Sequence, residues 1–188
     1  RGLPFFIPVA NLLASDFAAD RLGQLLHEFD DARILVGRRD PLHVVLQLFD
    51  QRFPGLRPVL FAEDDALAQV KMPGARLIQA DFTQGIPATL LGERFDFIIS
   101  TYAMHHLTDP QKAALWRALL QQLAPDGALI IGDVAFATES EQEACCLRAG
   151  DGWDNDEAYV VAQRFYTEFP GLRFERISHC AGILTLKR

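Results

Sequence analysis

The feature that most constrains this fold is the regular alternation of short apolar runs with amphipathic stretches along the chain of 188 residues. The apolar runs have the length of β-strands and lie at 33–37, 58–62, 75–80, 94–101 and 128–134. The amphipathic stretches predict helices over 10–29, 41–53 and 154–169, together with one that begins at Asp109-Pro110. Two closing segments, "LRFERIS" and "GILTLKR", predict an antiparallel strand pair. This pattern predicts an α/β fold with a doubly wound, mostly parallel sheet and helices on both faces.

Composition and charge describe an ordinary globular protein with one domain. Hydrophobic residues make up 49% of the chain, and the formal net charge is −7. An acidic surface argues against binding nucleic acids or anionic membranes, because phosphates are met by Lys and Arg. The apolar start lacks the charged region and cleavage site of a signal peptide, which predicts a cytoplasmic protein. We therefore expect a single domain over 1–188, in which 1–30 form a helical cap.

The three cysteines do not form a paired framework. Cys145 and Cys146 are adjacent in a predicted helix, and Cys180 lies near the end of the chain. Their spacing is not that of a metal site, so the sequence predicts reduced, buried thiols and no bound metal.

Polar residues follow the predicted strands where a doubly wound sheet binds its ligands, at the carboxyl ends. Glu63 and Asp81 are carboxylates that could accept hydrogen bonds from a ribose diol and an adenine amine. Glu63 could instead be a favourable charge at a helix N-terminus, and Asp81 a turn residue that bonds its own backbone. The fourth strand ends in Ser100, Thr101 and Tyr102, and the fifth at Asp133.

The pair His105-His106 follows the fourth strand and allows two interpretations. A histidine in a cleft titrates near neutral pH and can act as a general base. The alternative is the first turn of a helix with one histidine packed and the other exposed. A metal site would need a helical i, i+4 spacing or a third ligand nearby, and neither is evident.

The block "FDFIISTYAMHHLTDPQKAALWRALLQQLAPDGALIIGDVAF", residues 95–136, resembles the central part of class I S-adenosylmethionine-dependent methyltransferases. The likeness extends back through "VLFAEDDALAQVKMPGARLIQADFTQGIP" and forward through the tail, and covers roughly 57–188. It implies a Rossmann-like, seven-stranded sheet with an antiparallel C-terminal strand. It also implies S-adenosylmethionine as cofactor and transfer of a methyl group to a small-molecule acceptor.

The resemblance also assigns roles to individual residues. Glu63 would hold the ribose hydroxyls, and Asp81 would meet the adenine amine with Phe82 beside the ring. Ser100, Thr101 and Tyr102 would line the methionine end of the cofactor and the path of methyl transfer. His105 and His106 would lie at the mouth of the site, so the candidate catalytic residues are Tyr102, His105 and His106.

The first glycine-rich motif of the family is altered in this chain, which reads "ILVGRRDPLH". Gly37 can stand for one glycine, but the leading acid is absent and the side chains of Arg38 and Arg39 occupy the loop. Asp40 could replace the lost acid, so that the cofactor still binds. Alternatively, the arginine pair could bind another anionic ligand, or form ion pairs with residues 63–65. A further alternative is a catalytically inactive protein that acts through a protein partner.

Overall fold

The computed structural model describes residues 34–38, 59–62 and 76–188. The strands of this part are β1 Ile34–Arg38, β2 Val59–Ala62, β3 Arg76–Gln79, β4 Phe95–Thr101, β5 Leu123–Phe136, β6 Val160–Val161, β7 Arg173–Arg176 and β8 Ala181–Lys187. The two α-helices are α1 Asp109–Gln121 and α2 Glu139–Ala149. Short 3₁₀ helices include Phe82–Gln84, Met104–His106 and Ala162–Arg164.

The strands form a mixed sheet in the order β3-β2-β1-β4-β5-β8-β7, and β6 pairs with the end of β5. Strands β1 to β5 are parallel, while β8 runs antiparallel to both β5 and β7. The predicted α/β architecture and the antiparallel C-terminal strand are therefore confirmed. The predicted count of seven strands is not, because β6 makes eight in the described part of the chain.

Helix α1 begins where the sequence predicts a helix, with its N-cap one residue earlier, at Thr108. The Gln111 side chain accepts hydrogen bonds from the Thr108 backbone N–H, at 2.9 Å, and hydroxyl, at 2.8 Å. The helix ends at Gln121, so Leu123 begins β5 rather than extending the helical face. Strand β5 therefore has fourteen residues, seven more than the strand predicted over 128–134.

The predicted helix over 154–169 is wrong. Its centre forms β6, in which Val160 and Val161 pair in parallel with Ala135 and Phe136 of β5. A consecutive apolar run can lie on a buried strand as well as on a helix, and here pairing with the free end of β5 decides the outcome. The helices predicted over 10–29 and 41–53 and the cap segment 1–30 lie outside the described residues. Within the described part, none of the helices has the length and apolarity needed to cross a membrane.

The core between the sheet and α1 holds the turn after β4 in place. Trp116 of α1 is completely buried, its Nε1–H donates to the Met104 sulfur at 3.5 Å, and its ring lies 4.6 Å from that of Phe165. Lys112, also completely buried, donates from Nζ to the carbonyl oxygens of Leu107 and Ala158, each at 2.5 Å. Burial lowers the pKa of this ammonium group. The lysine therefore connects the turn after β4 to the segment before β6.

The substitution Gly127→Ala is expected to destabilise the fold by about 1–3 kcal/mol. A Cβ at this position would lie 3.0 Å from the carbonyl oxygens of Ala124 and Asp96, which are backbone atoms that cannot rotate away. The free energy of unfolding from urea denaturation checks this. Gly171→Ala is the control, because its Cβ would meet no described atom within 4 Å, and equal losses for both variants would contradict the prediction.

Candidate functional site

The centre of the sheet provides a ligand position between the carboxyl ends of β1 and β4. The chain leaves β1 for β2 on one side and returns from β3 to β4 on the other, so the strand order reverses there. At such a switch point the loops diverge and open a crevice. The register places Gly37 opposite Ser100, beside Thr101, which pairs with Gly132 of β5.

Two hydroxyl groups at this edge are buried without a partner. Ser100 is 2% exposed and Thr101 is 1% exposed, and neither hydroxyl makes a hydrogen bond within the described part of the chain. A buried polar group without a partner costs free energy, about 1–3 kcal/mol. These hydroxyls therefore fit a polar ligand that supplies the missing hydrogen bonds.

Tyr102 makes the sharp turn that follows β4. Its φ of 51° lies in the left-handed region, which is unfavourable for a residue with a bulky side chain. The Tyr102 backbone N–H donates to the Gly132 carbonyl at 2.9 Å, and the ring centroid lies 4.4 Å from that of His105. A strained backbone conformation persists only where the surrounding structure holds it in place, and such positions are common at functional sites. The turn directs the chain into the 3₁₀ helix Met104–His106.

His105 is held by a buried carboxylate on β5. Its Nδ1 lies 2.5 Å from Oδ1 of Asp133, and Asp133 has no exposed surface. Oδ2 of Asp133 also accepts hydrogen bonds from the backbone N–H groups of Ala103 and Met104, at 3.1 and 2.8 Å, and Oδ1 accepts from that of Val134 at 2.7 Å. Four donors thus satisfy one carboxylate, which fixes both the imidazole and the turn that carries it.

The pKa of His105 is raised above its ordinary value of 6.5. Burial, the largest influence, lowers the pKa because the imidazolium loses its hydration. The hydrogen bond to Asp133 and the charge of this carboxylate oppose burial and together with Glu157 outweigh it. All ring hydrogen bonds of His105 within the described residues use Nδ1, so Nε2 remains available to accept a proton.

This raised pKa predicts a pH-dependent contribution to stability. The protonated form is favoured in the folded state, so the stabilisation is fully present below pH 6.5 and is lost as the pH rises through the folded-state pKa. The difference in unfolding free energy between the wild type and His105→Gln should therefore shrink as the pH is raised from 6 to 9, in urea titrations. A difference that is constant or grows with pH would contradict the assignment.

The segment before β6 packs against both histidines. The Ala158 backbone N–H donates to the His105 carbonyl at 2.8 Å, and Glu157 Oε1 lies 3.0 Å from Nδ1 of His106. Ligand atoms of His105, His106 and Glu157 all lie within 4.8 Å of one another, a spacing that could hold a metal ion. However, both Nδ1 atoms already face carboxylates, so we interpret the group as ion pairs.

Aromatic rings continue from His105 along the ends of β4 and β5. The Tyr159 ring lies 6.4 Å from that of His105 and 4.6 Å from that of Trp153, which in turn lies 6.2 Å from Phe136. Burial raises the pKa of Tyr159 to about 12, so this phenol stays neutral at physiological pH. Phe136 and Tyr159 are buried, so these rings form a hydrophobic cluster that packs beside His105.

The structure brings together five of the predicted site residues at one edge of the sheet, namely Gly37, Ser100, Tyr102, His105 and His106. The sequence placed Asp133 at a strand end but missed its pairing with His105, from which it is separated by 28 residues. The packing of Tyr159 against Trp153 was also missed, because a helix was predicted over 154–169.

The other predicted cofactor residues have local contacts of their own or lie outside the described part, and their roles toward a cofactor stay predictions. Asp81 is exposed, and its Oδ1 accepts from the Thr83 backbone N–H at 2.7 Å, as a turn residue would, while its contact with an adenine amine stays a prediction. Phe82 begins a 3₁₀ helix, and its side chain lies outside the described atoms. Asp40, Glu63 and Arg39 lie outside the described residues, as does the side chain of Arg38. Their roles in binding a cofactor or an anion remain predictions.

Comparisons with known proteins agree with this geometry. Residues 60–131, which run from β2 into β5, match the family model of the methyltransferase domain. An uncharacterized methyltransferase of Geobacillus kaustophilus is 31% identical over 150 residues, covering 79% of this chain and 65% of the relative. Another uncharacterized methyltransferase, of Anoxybacillus flavithermus, is 32% identical over 113 residues, which cover 60% of this chain and 52% of the relative.

The chain carries a methyltransferase domain over residues 60–131 and is similar to curated methyltransferases. The methyltransferase resemblance found in the sequence is therefore confirmed. The solved structure described as "PigF with SAH" matches with a TM-score of 0.64 and 14% identity, over 95% of this chain and 57% of that chain, and supports the same fold. The present methyltransferase chain spans between half and two thirds of the length of the two relatives above.

Proposed function

We propose that this methyltransferase binds S-adenosylmethionine between the ends of β1 and β4 and transfers its methyl group to a small organic acceptor. The observation that carries the proposal is the buried His105–Asp133 pair beside the unpartnered hydroxyls of Ser100 and Thr101. Proteins of the same fold include one solved with SAH, the demethylated form of this cofactor, which supports the choice of ligand.

The cofactor, once bound, supplies an electrophilic methyl group on a sulfonium. Ser100 and Thr101 would hold its polar atoms with the hydrogen bonds that their hydroxyls do not make within the described part of the chain. Gly37, opposite Ser100, leaves room for a ligand to approach the backbone closely. Displacement at a sulfonium depends above all on alignment of the two reactants, so this rigid strand edge contributes mainly by positioning.

His105 would act on the acceptor. With a proton on Nδ1 donated to Asp133, the neutral imidazole presents Nε2 as a base that removes a proton from an acceptor hydroxyl. Asp133 holds the ring in this tautomer and stabilises the imidazolium that forms. The partly exposed ring of Tyr102, 4.4 Å from that of His105, would exclude water from the acceptor and stack on its apolar part. We therefore infer an O-methyltransferase acting on a small, largely apolar alcohol or phenol.

Isothermal titration calorimetry of the full chain with S-adenosylmethionine and SAH tests cofactor binding. We expect saturable binding with a Kd between about 1 μM and 1 mM, the range typical of enzyme substrates. A Ser100→Ala,Thr101→Val double variant should bind more weakly, because the ligand would lose both partners. No heat at millimolar cofactor would defeat the proposal and would favour the catalytically inactive alternative with a protein partner.

A further inference from the structure

A second group of reactive side chains lies away from the histidine pair. Cys145 on α2 meets His179 and Cys180, which form the turn between β7 and β8. One ligand atom from each of the three residues, two sulfurs and one imidazole nitrogen, lies within 4.8 Å of the other two. All three cysteines of the chain are free thiols, and Cys145 is buried while Cys180 is partly buried.

The elements that carry this group are anchored before any ligand binds. The Cys180 carbonyl accepts a hydrogen bond from the Ala135 N–H of β5 at 3.2 Å. The turn itself is closed by the backbone N–H groups of Ile177 and Ser178, which both donate to the Ala181 carbonyl. Helix α2 follows directly from β5, and its first turn is capped by the Thr138 hydroxyl. Helix and turn are therefore fixed to the same end of β5, which positions the three ligands.

We infer that Cys145, His179 and Cys180 bind one zinc ion. Two thiolates and an imidazole form the ligand set that Zn²⁺ prefers, and three protein ligands leave a fourth position for water or another ligand. Ligand atoms of a tetrahedral zinc site lie roughly 4 Å apart, given metal–ligand bonds of about 2.0–2.3 Å. The observed spacing needs only small side-chain adjustments to reach this value.

Zinc binding by this group releases protons. Zn²⁺ binds the thiolate form of cysteine, so a thiol of the group must lose its proton as it binds the ion. Each S–H bond that is present breaks as its Zn–S bond forms, so up to two protons pass to solvent without any change in oxidation state. Zinc affinity should therefore rise with pH. The ion would also join α2 to the β7–β8 turn, beside the cluster that contains Val134, Phe136 and Tyr159.

Titration of the reduced full chain with Co²⁺, followed by displacement with Zn²⁺, tests the inference. We expect one Co²⁺ per chain, a thiolate-to-cobalt charge-transfer band and the visible bands of tetrahedral cobalt, all removed by one equivalent of Zn²⁺. Cys145→Ser and Cys180→Ser should each weaken zinc binding about 100-fold or more, and His179→Gln about 10-fold or more. Cys146→Ser is the matched control, since it removes a thiol from the same helix outside the group, and its affinity should change less than about 3-fold.

Alkylation of the wild type gives a measurement that does not depend on variant folding. Zinc should protect Cys145 and Cys180 from iodoacetamide, as read by mass spectrometry, while Cys146 stays as reactive as in the zinc-free protein. Absence of the charge-transfer band, or zinc binding that survives both cysteine substitutions and is lost in His106→Gln, would overturn the inference. Formation of a Cys145–Cys180 disulfide in preference to zinc binding under reducing conditions would also overturn it.

Discussion

Replacing His105 by Gln is expected to lower kcat of the proposed methyl transfer by about 10²–10⁴-fold, the usual contribution of a general base. Gln keeps much of the shape of the side chain but cannot take up a proton, so deprotonation of the acceptor loses its base. The affinity for S-adenosylmethionine should change less than about 2-fold, since His105 follows the strand end at which the cofactor would lie. Single-turnover methyl transfer and calorimetry on the same variant measure the two quantities separately.

His106→Gln is the matched control for this experiment. Its side chain is partly exposed, and its Nδ1 lies 3.0 Å from Oε1 of Glu157. We expect its loss of kcat to stay below about 10-fold, because the buried base remains in place. In the wild type, kcat should rise with pH through a pKa above the ordinary 6.5 of histidine, because only the neutral imidazole acts as a base. Equal losses for the two variants, or full activity in His105→Gln, would contradict the assignment.

Asp133→Ala is expected to destabilise the fold by about 3–5 kcal/mol, the cost of removing one partner from a buried pair. The carboxylate accepts from the backbone N–H groups of Ala103, Met104 and Val134 and contacts His105, and water cannot easily replace it where Asp133 is completely buried. The turn after β4 would lose its main anchor, so methyl transfer should fall as well. Urea denaturation at pH 7 measures the unfolding free energy.

Asp151→Ala provides a matched control, because this aspartate is exposed in the short helix after α2. Its substitution should change the unfolding free energy by less than about 0.5 kcal/mol. For Asp133→Asn we expect a loss of unfolding free energy between those of Asp133→Ala and Asp151→Ala. Its amide keeps one acceptor oxygen but replaces the other acceptor with a donor. A loss below about 1 kcal/mol for Asp133→Ala would show that the carboxylate does not hold the turn.

The prediction of the sheet was correct where the local sequence pattern and the tertiary structure favour the same element. Strand β4 is a seven-residue run in which all but one residue is buried, and such a run is recognisable without knowledge of its partners. The stretch over 154–169 failed because its apolar residues fit both a helical face and a buried strand. Only the pairing of Val160 and Val161 with Ala135 and Phe136, at the end of β5, decided between the two.

Some residues of the candidate site could likewise be identified from the sequence, and others only from the tertiary structure. His105 and Tyr102 could be selected from the sequence, since polar residues at the carboxyl ends of parallel strands converge on one edge of the sheet. The partner of His105 could not be selected, because Asp133, Glu63 and Asp81 are all carboxylates at the ends of predicted strands. Which of them faces the imidazole depends on strand order, and β5 lies directly beside β4. The meeting of Cys145 with His179 and Cys180 depends in the same way on β8 inserting between β5 and β7.

The sequence by itself determined the α/β class, the antiparallel C-terminal strand, the methyltransferase family and the histidine pair after the fourth strand. The fold class and the closing strands follow from periodicity, because local spacing sets which side chains share a face. The family follows from the resemblance of residues 95–136 to known methyltransferases. The tertiary structure alone decided the identity of the carboxylate that binds His105, the strand β6 with its aromatic neighbours, and the cysteine–histidine group. Each of these joins side chains from separate elements, and contacts of that kind are set by packing and strand order rather than by local spacing.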